Sequence, residues 1–382
     1  MKRVYFDNAA TTPLDVVVLK EMVRVMETLP GNPSSIYLEG RQAKTLVEKS
    51  RKTIANLLGV APGEIFFTSS GTESDNMAIR CSIDDLDVKH IITSRIEHHA
   101  VLHSVDYCGQ LGIKISYVNL LPNGHVDMIH LEELLSQENA GKTLVTLMHA
   151  NNEIGNLLDI DATGELCAAH GAYFHCDTVQ TIGHLPIDVK KSKIHFLSAS
   201  AHKFNGPKGV GFVFIDESVK LKPFIHGGAQ ERNMRGGTEN TYGIAGISKA
   251  LEIAYAEMDE QHKQIQGIKD YMITALRGNF SDISFNGDCE GRCLYTVLNV
   301  AFPTTEASDM LLFNLDIEGI SASGGSACSS GSDQGSHVLN ELKQNEGYSS
   351  VRFSFGKYNT IEEVDIVIAK LKEIMKIDKV HA

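Results

Sequence analysis

The chain has 382 residues, of which 42% are hydrophobic and 22% charged, with 33 Gly and only 9 Pro. It is long enough for two packed units and ordinary enough in composition to exclude small stapled, collagen-like and disordered classes. A formal charge of −13 excludes the concentrated positive field that phosphate backbones and anionic lipid surfaces require, so neither nucleic acid nor membrane is an expected partner.

The opening Met1-Lys2-Arg3-Val4-Tyr5-Phe6-Asp7 lacks the apolar core of an export signal. No run approaches the roughly 20 apolar residues of a spanning helix, so a cytoplasmic protein is expected. Residues 41–58 are predicted as a helix, with Ala43, Leu46, Val47, Ile54, Leu57 and Leu58 on one stripe and Gly59 to end it. From about 38 to 250, short β-branched runs alternate with helix-period segments. Ile65–Thr68, His90–Thr93, Leu144–Leu147, Tyr173–Cys176 and Ile194–Leu197 read as strands of a mostly parallel sheet with helices on both faces. Beyond Asn240 the pattern becomes one long helix to about Leu276, strands near 294–302 and 350–355, and a closing helix Ile361–Met375. That is the texture of a smaller α+β unit. No repeat or Pro/Ser-rich linker divides the chain. The expected division is 16–255 for the large unit, and 1–15 with 256–382 for the small one. Cys81, Cys108, Cys167, Cys176, Cys289, Cys293 and Cys328 are scattered without a CxxC pair, which favours reduced thiols and no structural metal.

Ligands of open parallel sheets sit at the carboxyl ends of the strands, and several of those loops are chemically loaded. Thr68-Ser69-Ser70-Gly71-Thr72-Glu73-Ser74 runs into a helix whose free N–H groups suit a phosphate, or simply form a cap. Asp177 and Gln180 follow another strand; the carboxylate there suits either a cap or a ligand. Ser198-Ala199-Ser200-Ala201-His202-Lys203 ends a third, with a glycine-rich turn beyond. A Lys so placed is either structural or desolvated into a nucleophilic amine that joins a carbonyl as a Schiff base. Together, a Schiff-base Lys, an acid for a pyridine nitrogen and a phosphate cradle are what pyridoxal 5'-phosphate needs.

Further landmarks are Tyr5-Phe6-Asp7-Asn8-Ala9-Ala10-Thr11-Thr12, Gly31-Asn32-Pro33-Ser34-Ser35, Gly71-Thr72-Glu73-Ser74-Asp75-Asn76, Glu97-His98-His99-Ala100, Asn151-Asn152-Glu153-Ile154-Gly155, Arg235-Gly236-Gly237-Thr238-Glu239-Asn240, Ser326-Ala327-Cys328 and Val351-Arg352-Phe353-Ser354. With these, nearly the whole chain resembles a cysteine desulfurase of the NifS/IscS class, in the class V aminotransferase-like family. The resemblance implies an α/β, fold type I pyridoxal-phosphate enzyme, with a mostly parallel seven-stranded sheet between helices and a smaller α+β domain. It implies that Lys203 binds the cofactor and moves protons at the substrate α-carbon, that Asp177 pairs with the pyridine nitrogen, and that Gln180 and Asn152 lie near the ring hydroxyl. By the same resemblance His98 stacks on the ring as an acid/base group, and Gly71, Thr72, Ser200 and His202 hold the phosphate. Thr238 is expected to reach the phosphate of the other subunit in a homodimer. Arg352, with its planar fork of donors, is the expected partner of the substrate carboxylate, with Asn152 beside it.

Cys328 lies in a Gly/Ser-rich run, 321–335, expected to move between the cofactor and an outside acceptor. There it would take sulfur from L-cysteine as a persulfide, leave L-alanine, and pass the sulfur to acceptors such as an iron–sulfur scaffold. The Ser-Gly-Gly-Ser-Ala-Cys-Ser-Ser context resembles the class with the longer mobile loop. Tyr37 departs from the family pattern, which has His there. Alternatives on the same fold are a selenocysteine lyase and an aminotransferase, the latter having no need of a loop thiol. A noncatalytic sulfur carrier would not need Lys203, Asp177, His98 and Cys328 together.

Overall fold

The computed structural model describes residues 3–137, 142–304, 310–324, 335–343 and 347–375. Cys328 and most of the run around it therefore lie outside the described residues. Twelve strands and eleven helices are present among the described residues. The strands are β1 Val4–Tyr5, β2 Ile65–Thr68, β3 His90–Thr93, β4 Lys114–Tyr117, β5 Thr143–Met148, β6 Tyr173–Asp177, β7 Phe196–Ser200, β8 Gly211–Ile215, β9 Ser284–Phe285, β10 Val297–Pro303, β11 Ile320–Ser321 and β12 Tyr348–Ser354. The helices are α1 Val16–Thr28, α2 Leu38–Leu58, α3 Gly71–Leu86, α4 His99–Gln110, α5 Met128–Leu135, α6 Ile160–Ala169, α7 Thr241–Ala256, α8 Met258–Asn279, α9 Leu311–Ile317, α10 His337–Glu341 and α11 Ile361–Ile374.

A seven-stranded sheet runs in the order β2-β8-β7-β6-β5-β3-β4. It is parallel from β7 to β4, while β8 is antiparallel to both of its neighbours. Successive side chains of a strand face opposite sides, and the packing follows that rule. Phe212 and Phe214 join a core with α1, α2 and α7, whereas Val213 and Ile215 join one with α3 and α4. Every residue of β5, β7 and β8 is buried, as befits strands covered on both faces. A second sheet, β12-β10-β9, is antiparallel. It packs with α8, α9 and α11 in a separate core that also takes Val4 and Phe6 from the start of the chain. There β1 lies parallel to β11 through Val4 and Ile320.

Two expected elements differ. The helical pattern from 240 to 276 is two helices, broken at Glu257 (φ −105°, ψ 6°). Ile244, Ile247 and Leu251 of α7 enter the first core, whereas Ile265, Ile268 and Met272 of α8 enter the second; an apolar stripe does not say which core it serves. The strand expected at Ile194–Leu197 runs from Phe196 to Ser200. Its buried Ser198, Ala199 and Ser200 carry no β-branched signal, and they bring the following turn to the sheet edge where the site lies. The helix over 41–58 starts at Leu38 and ends on Gly59 with φ 66°, a left-handed cap that glycine adopts without strain. No helix among the described residues is long and apolar enough to cross a membrane.

Candidate active site

The carboxyl ends of β2, β5, β6 and β7 open onto one cavity of about 210 Å³, lined by Gly71, Thr72, Asp75, His98, Asn152, Asp177, Gln180, Ser200, His202, Lys203 and Arg352 among others. Of the site candidates singled out in the sequence that lie among the described residues, Thr238 is missing from this lining. Thr238 is exposed in a segment pinned by the Arg235–Glu73 pair at 2.8 Å. Cys328 is outside the described residues.

One wall is the start of α3. Ser70 caps the helix, its hydroxyl accepting from the Glu73 N–H at 3.3 Å, and Gly71 follows directly. A Cβ on Gly71 would come within 2.6 Å of Val179 Cγ2, so only glycine lets the backbone close on the wall. The free N–H groups and positive end of this helix, with the Thr72, Ser200 and His202 side chains around them, suit a phosphate-sized anion.

Lys203 stands in a tight turn, Ala201–Lys203, directly after β7. Its Nζ donates to the Ala9 and Ala10 carbonyls at 2.5 and 2.9 Å, so the segment after β1 aims the amine. Behind it, His184 bonds to the Lys203 carbonyl at 3.0 Å and to the Tyr295 hydroxyl at 3.2 Å. Gln180 donates to the same Ala9 carbonyl at 3.0 Å.

Asp177 ends β6 and is 6% exposed; its Oδ1 accepts from the Val179 N–H at 2.9 Å. Burial, reinforced by the like charge of Asp75, pushes its carboxyl up to about 7, against the pull of that N–H, His175 and Lys203. The roles of Asp75 and Glu97 were not read from the sequence, although both lie inside its landmark motifs. Asp75 is buried and pushed up to about 7 by burial. Glu97 is buried and held well above the usual carboxylate range by burial and by Asp177. His175 Nε2 lies 3.4 Å from Asp75 Oδ1 and 3.1 Å from Ser198 Oγ. Burial holds that imidazole down to about 4, so both members are neutral and the contact is not an ion pair. The site thus gathers carboxyl groups at low dielectric with too little positive charge to ionise them, a fit for a cationic group on the ligand.

That imbalance has a pH consequence. Folded Asp75 and Asp177 keep protons to about pH 7, whereas the unfolded chain releases them near pH 4. The folded state binds more protons in this window, so stability falls as pH rises through it and levels off above. In denaturant titrations of the cofactor-free protein, the expected fall is roughly 2–4 kcal/mol per group, and Asp75→Asn removes one share of it.

His98 is both a cap and a cavity residue. Its Nδ1 accepts from the Ala100 N–H at 3.1 Å at the start of α4, and burial and nearby Lys203 hold its imidazole down to about 4. Neutral, with Nδ1 accepting, it carries its hydrogen on Nε2. Arg352 is 1% exposed, not on the surface. Its fork donates to the Asn152 carbonyl and to Asp7 Oδ1, both at 2.8 Å. Its Nε is buried with no partner among the described residues, a donor that an entering carboxylate would satisfy.

No group of three or more His, Cys, Asp and Glu side chains among the described residues is placed to hold a metal ion. Cys81, Cys108, Cys167, Cys176 and Cys289 are buried, and Cys293 is half-buried.

The arrangement compares closely with known proteins. "Cysteine desulfurase IscS" of Dictyoglomus turgidum is 42% identical over 381 residues, covering 98% of this chain and 95% of that protein. "Putative cysteine desulfurase IscS 1" of Bacillus subtilis is 43% identical over 382 residues, covering 98% and 99%. Among solved structures, a "NIFS-like protein" superimposes with a TM-score of 0.90 at 36% identity, over 98% of this chain and 100% of the other. "SspA in complex with cysteine" does so at 0.80 and 32%, over 94% and 100%. The profile of the family "Aminotransferase class-V" matches residues 4–367. With a full-length family match and relatives above 40% identity, the chain belongs to the class-V aminotransferase family, among its NifS/IscS-type cysteine desulfurases.

Proposed function

We propose that this chain is a pyridoxal-phosphate-dependent cysteine desulfurase, which takes the sulfur of L-cysteine as a persulfide on Cys328 and releases L-alanine. The observation that carries this reading is the meeting of Lys203, Asp177, Arg352 and the start of α3 on one cavity. Bound there, pyridoxal phosphate supplies an electron sink that loosens bonds at the substrate α-carbon. The N–H groups at Gly71 and Thr72 would hold its phosphate, with Ser200 and His202. Asp177 would keep the ring nitrogen protonated, and that cation would bring the carboxylate back to its ionised form. Gln180 and Asn152 would serve the ring hydroxyl. His98, neutral and hydrogen-bearing at Nε2, would act on the ring as a donor. The Lys203 amine would hold the cofactor's carbonyl carbon and would move the proton at the substrate α-carbon. Arg352 orients the substrate carboxylate.

Cys328 is supported by the anchors of its segment. On one side, Ser323 exchanges backbone hydrogen bonds with Arg352 at 3.2 and 2.6 Å. On the other, the Ser336 hydroxyl bonds to Glu153, and His337 bonds to the Glu97 carbonyl at 2.9 Å. Both anchors adjoin cavity residues, Arg352 on one side and Asn152 and His98 on the other. Exposed Thr238 suits a residue offered to the cofactor phosphate of a second copy, which makes the working unit a homodimer. The large unit, 16–255, then carries most of the cofactor contacts, and the small unit carries Cys328 and Arg352. The persulfide passes to acceptor proteins for iron–sulfur cluster assembly or other thiolation in the cytoplasm.

The test is to incubate the purified protein with L-cysteine and a reductant and to measure both products. Alanine and sulfide are expected in equal amounts, and Cys328→Ala is expected to bind cofactor yet release almost no sulfide. Undiminished sulfide from that variant, or a keto acid in place of alanine, overturns the reading.

A further inference from the structure

Lys269 and Cys293 meet in the second core, outside the lining of the cavity. Lys269, on α8, is 0% exposed among Ile265, Ile268 and Met272. Its Nζ lies 3.0 Å from Cys293 Sγ and 3.1 Å from the Leu294 carbonyl. Among the described residues no carboxylate stands within ion-pair distance of it. The contact sets a nucleophile-bearing lysine directly against an oxidisable sulfur, with the lysine stem packed in the core so that the pair is held together. Burial pushes the neighbouring Cys289 thiol up to about 11, and the Cys293 Sγ also lies 3.0 Å from the Cys289 carbonyl. Cys293 is half-buried, within reach of a small oxidant.

We propose that Lys269 and Cys293 form a redox-modification site, at which a peroxide joins amine and thiol through a single oxygen atom as an N–O–S cross-link. The thiolate first attacks hydrogen peroxide, breaking its O–O bond; sulfur loses two electrons and becomes a sulfenic acid. A second peroxide removes two electrons from the amine as the N–O bond forms and the N–H and O–H bonds break. Overall, one thiol, one amine and two molecules of hydrogen peroxide give the bridge and three molecules of water. The present N-to-S separation is close to the span of one inserted oxygen, whereas a direct S–N bond would need the packed side chains to approach by roughly a bond length. The product is neutral, which suits the apolar core around it. The bridge ties α8 to the segment whose Tyr295 supports His184 and, through it, Lys203.

The test uses the full chain with Cys328→Ser, so that the loop thiol does not compete. The reduced protein is exposed to hydrogen peroxide and digested without reductant. The expected product is a peptide pair joined through Lys269 and Cys293, heavier than its parts by one oxygen and lighter by two hydrogens, which dithiothreitol separates. The melting temperature is expected to rise on oxidation and return on reduction, because the tie restricts the unfolded chain. Lys269→Met is expected to lose the pair; should it fail to fold, the parent digest decides alone. Recovery of Cys293 from the parent as a free thiol, a sulfur oxyacid, a disulfide with Cys289, or a pair lacking the added oxygen overturns the proposal.

Discussion

Lys203→Ala is expected to lower kcat for alanine and sulfide release by about 10⁴-fold, the upper end of what one positioned acid–base group contributes. The turn after β7 and the Ala9 and Ala10 carbonyls place the Lys203 amine, and among the described residues no other lysine lines the cavity. Lys203→Arg separates charge from chemistry. It restores a cation, but a guanidinium keeps its proton and cannot attack a carbonyl carbon or accept a proton from the α-carbon. Both variants are therefore expected to be equally inactive in the product assay, and a Lys203→Arg protein within tenfold of the parent would show that only the positive charge matters.

Asp177→Asn is expected to cost about 10²–10³-fold in kcat, as for the loss of one group that stabilises developing charge. The shape survives, because an amide oxygen can still accept from the Val179 N–H that Asp177 Oδ1 now holds. The lost feature is the capacity to carry a negative charge opposite a ring nitrogen. The check is kcat beside the absorption spectrum of the bound cofactor: the spectrum is expected to persist with a shifted band, while turnover collapses. Full turnover in Asp177→Asn would remove the acid from the mechanism.

Much of this was readable in the chain because the informative residues are local. Asp177 closes a short strand and Lys203 stands just beyond another, and Ser70-Gly71-Thr72 sits where a strand turns into a helix, so period and punctuation place them together at the sheet edge. The sheet order and the antiparallel β8 arise from long-range pairing that no local pattern encodes. Asp75 illustrates the same limit. In sequence it is one polar residue in the first turns of α3; only the packing of that helix over β6 and β7 buries it beside His175 and Asp177 and turns it into a neutral acid. The pairing of Arg352 with Asp7 spans nearly the whole chain and depends on the segment after β1 reaching β12, where Asp7 bridges Ser354. The carbonyls of Ala9 and Ala10, which aim Lys203, are backbone groups and carry no residue signature.

The most direct measurement is the site of borohydride labelling. Borohydride fixes a pyridoxal-phosphate carbonyl to whichever amine holds it, so peptide mapping after reduction locates the cofactor. The label is expected on Lys203 alone, and on no peptide of Lys203→Ala. A label on another lysine, or a parent protein that takes none when supplied with pyridoxal phosphate, would contradict the assignment of this cavity.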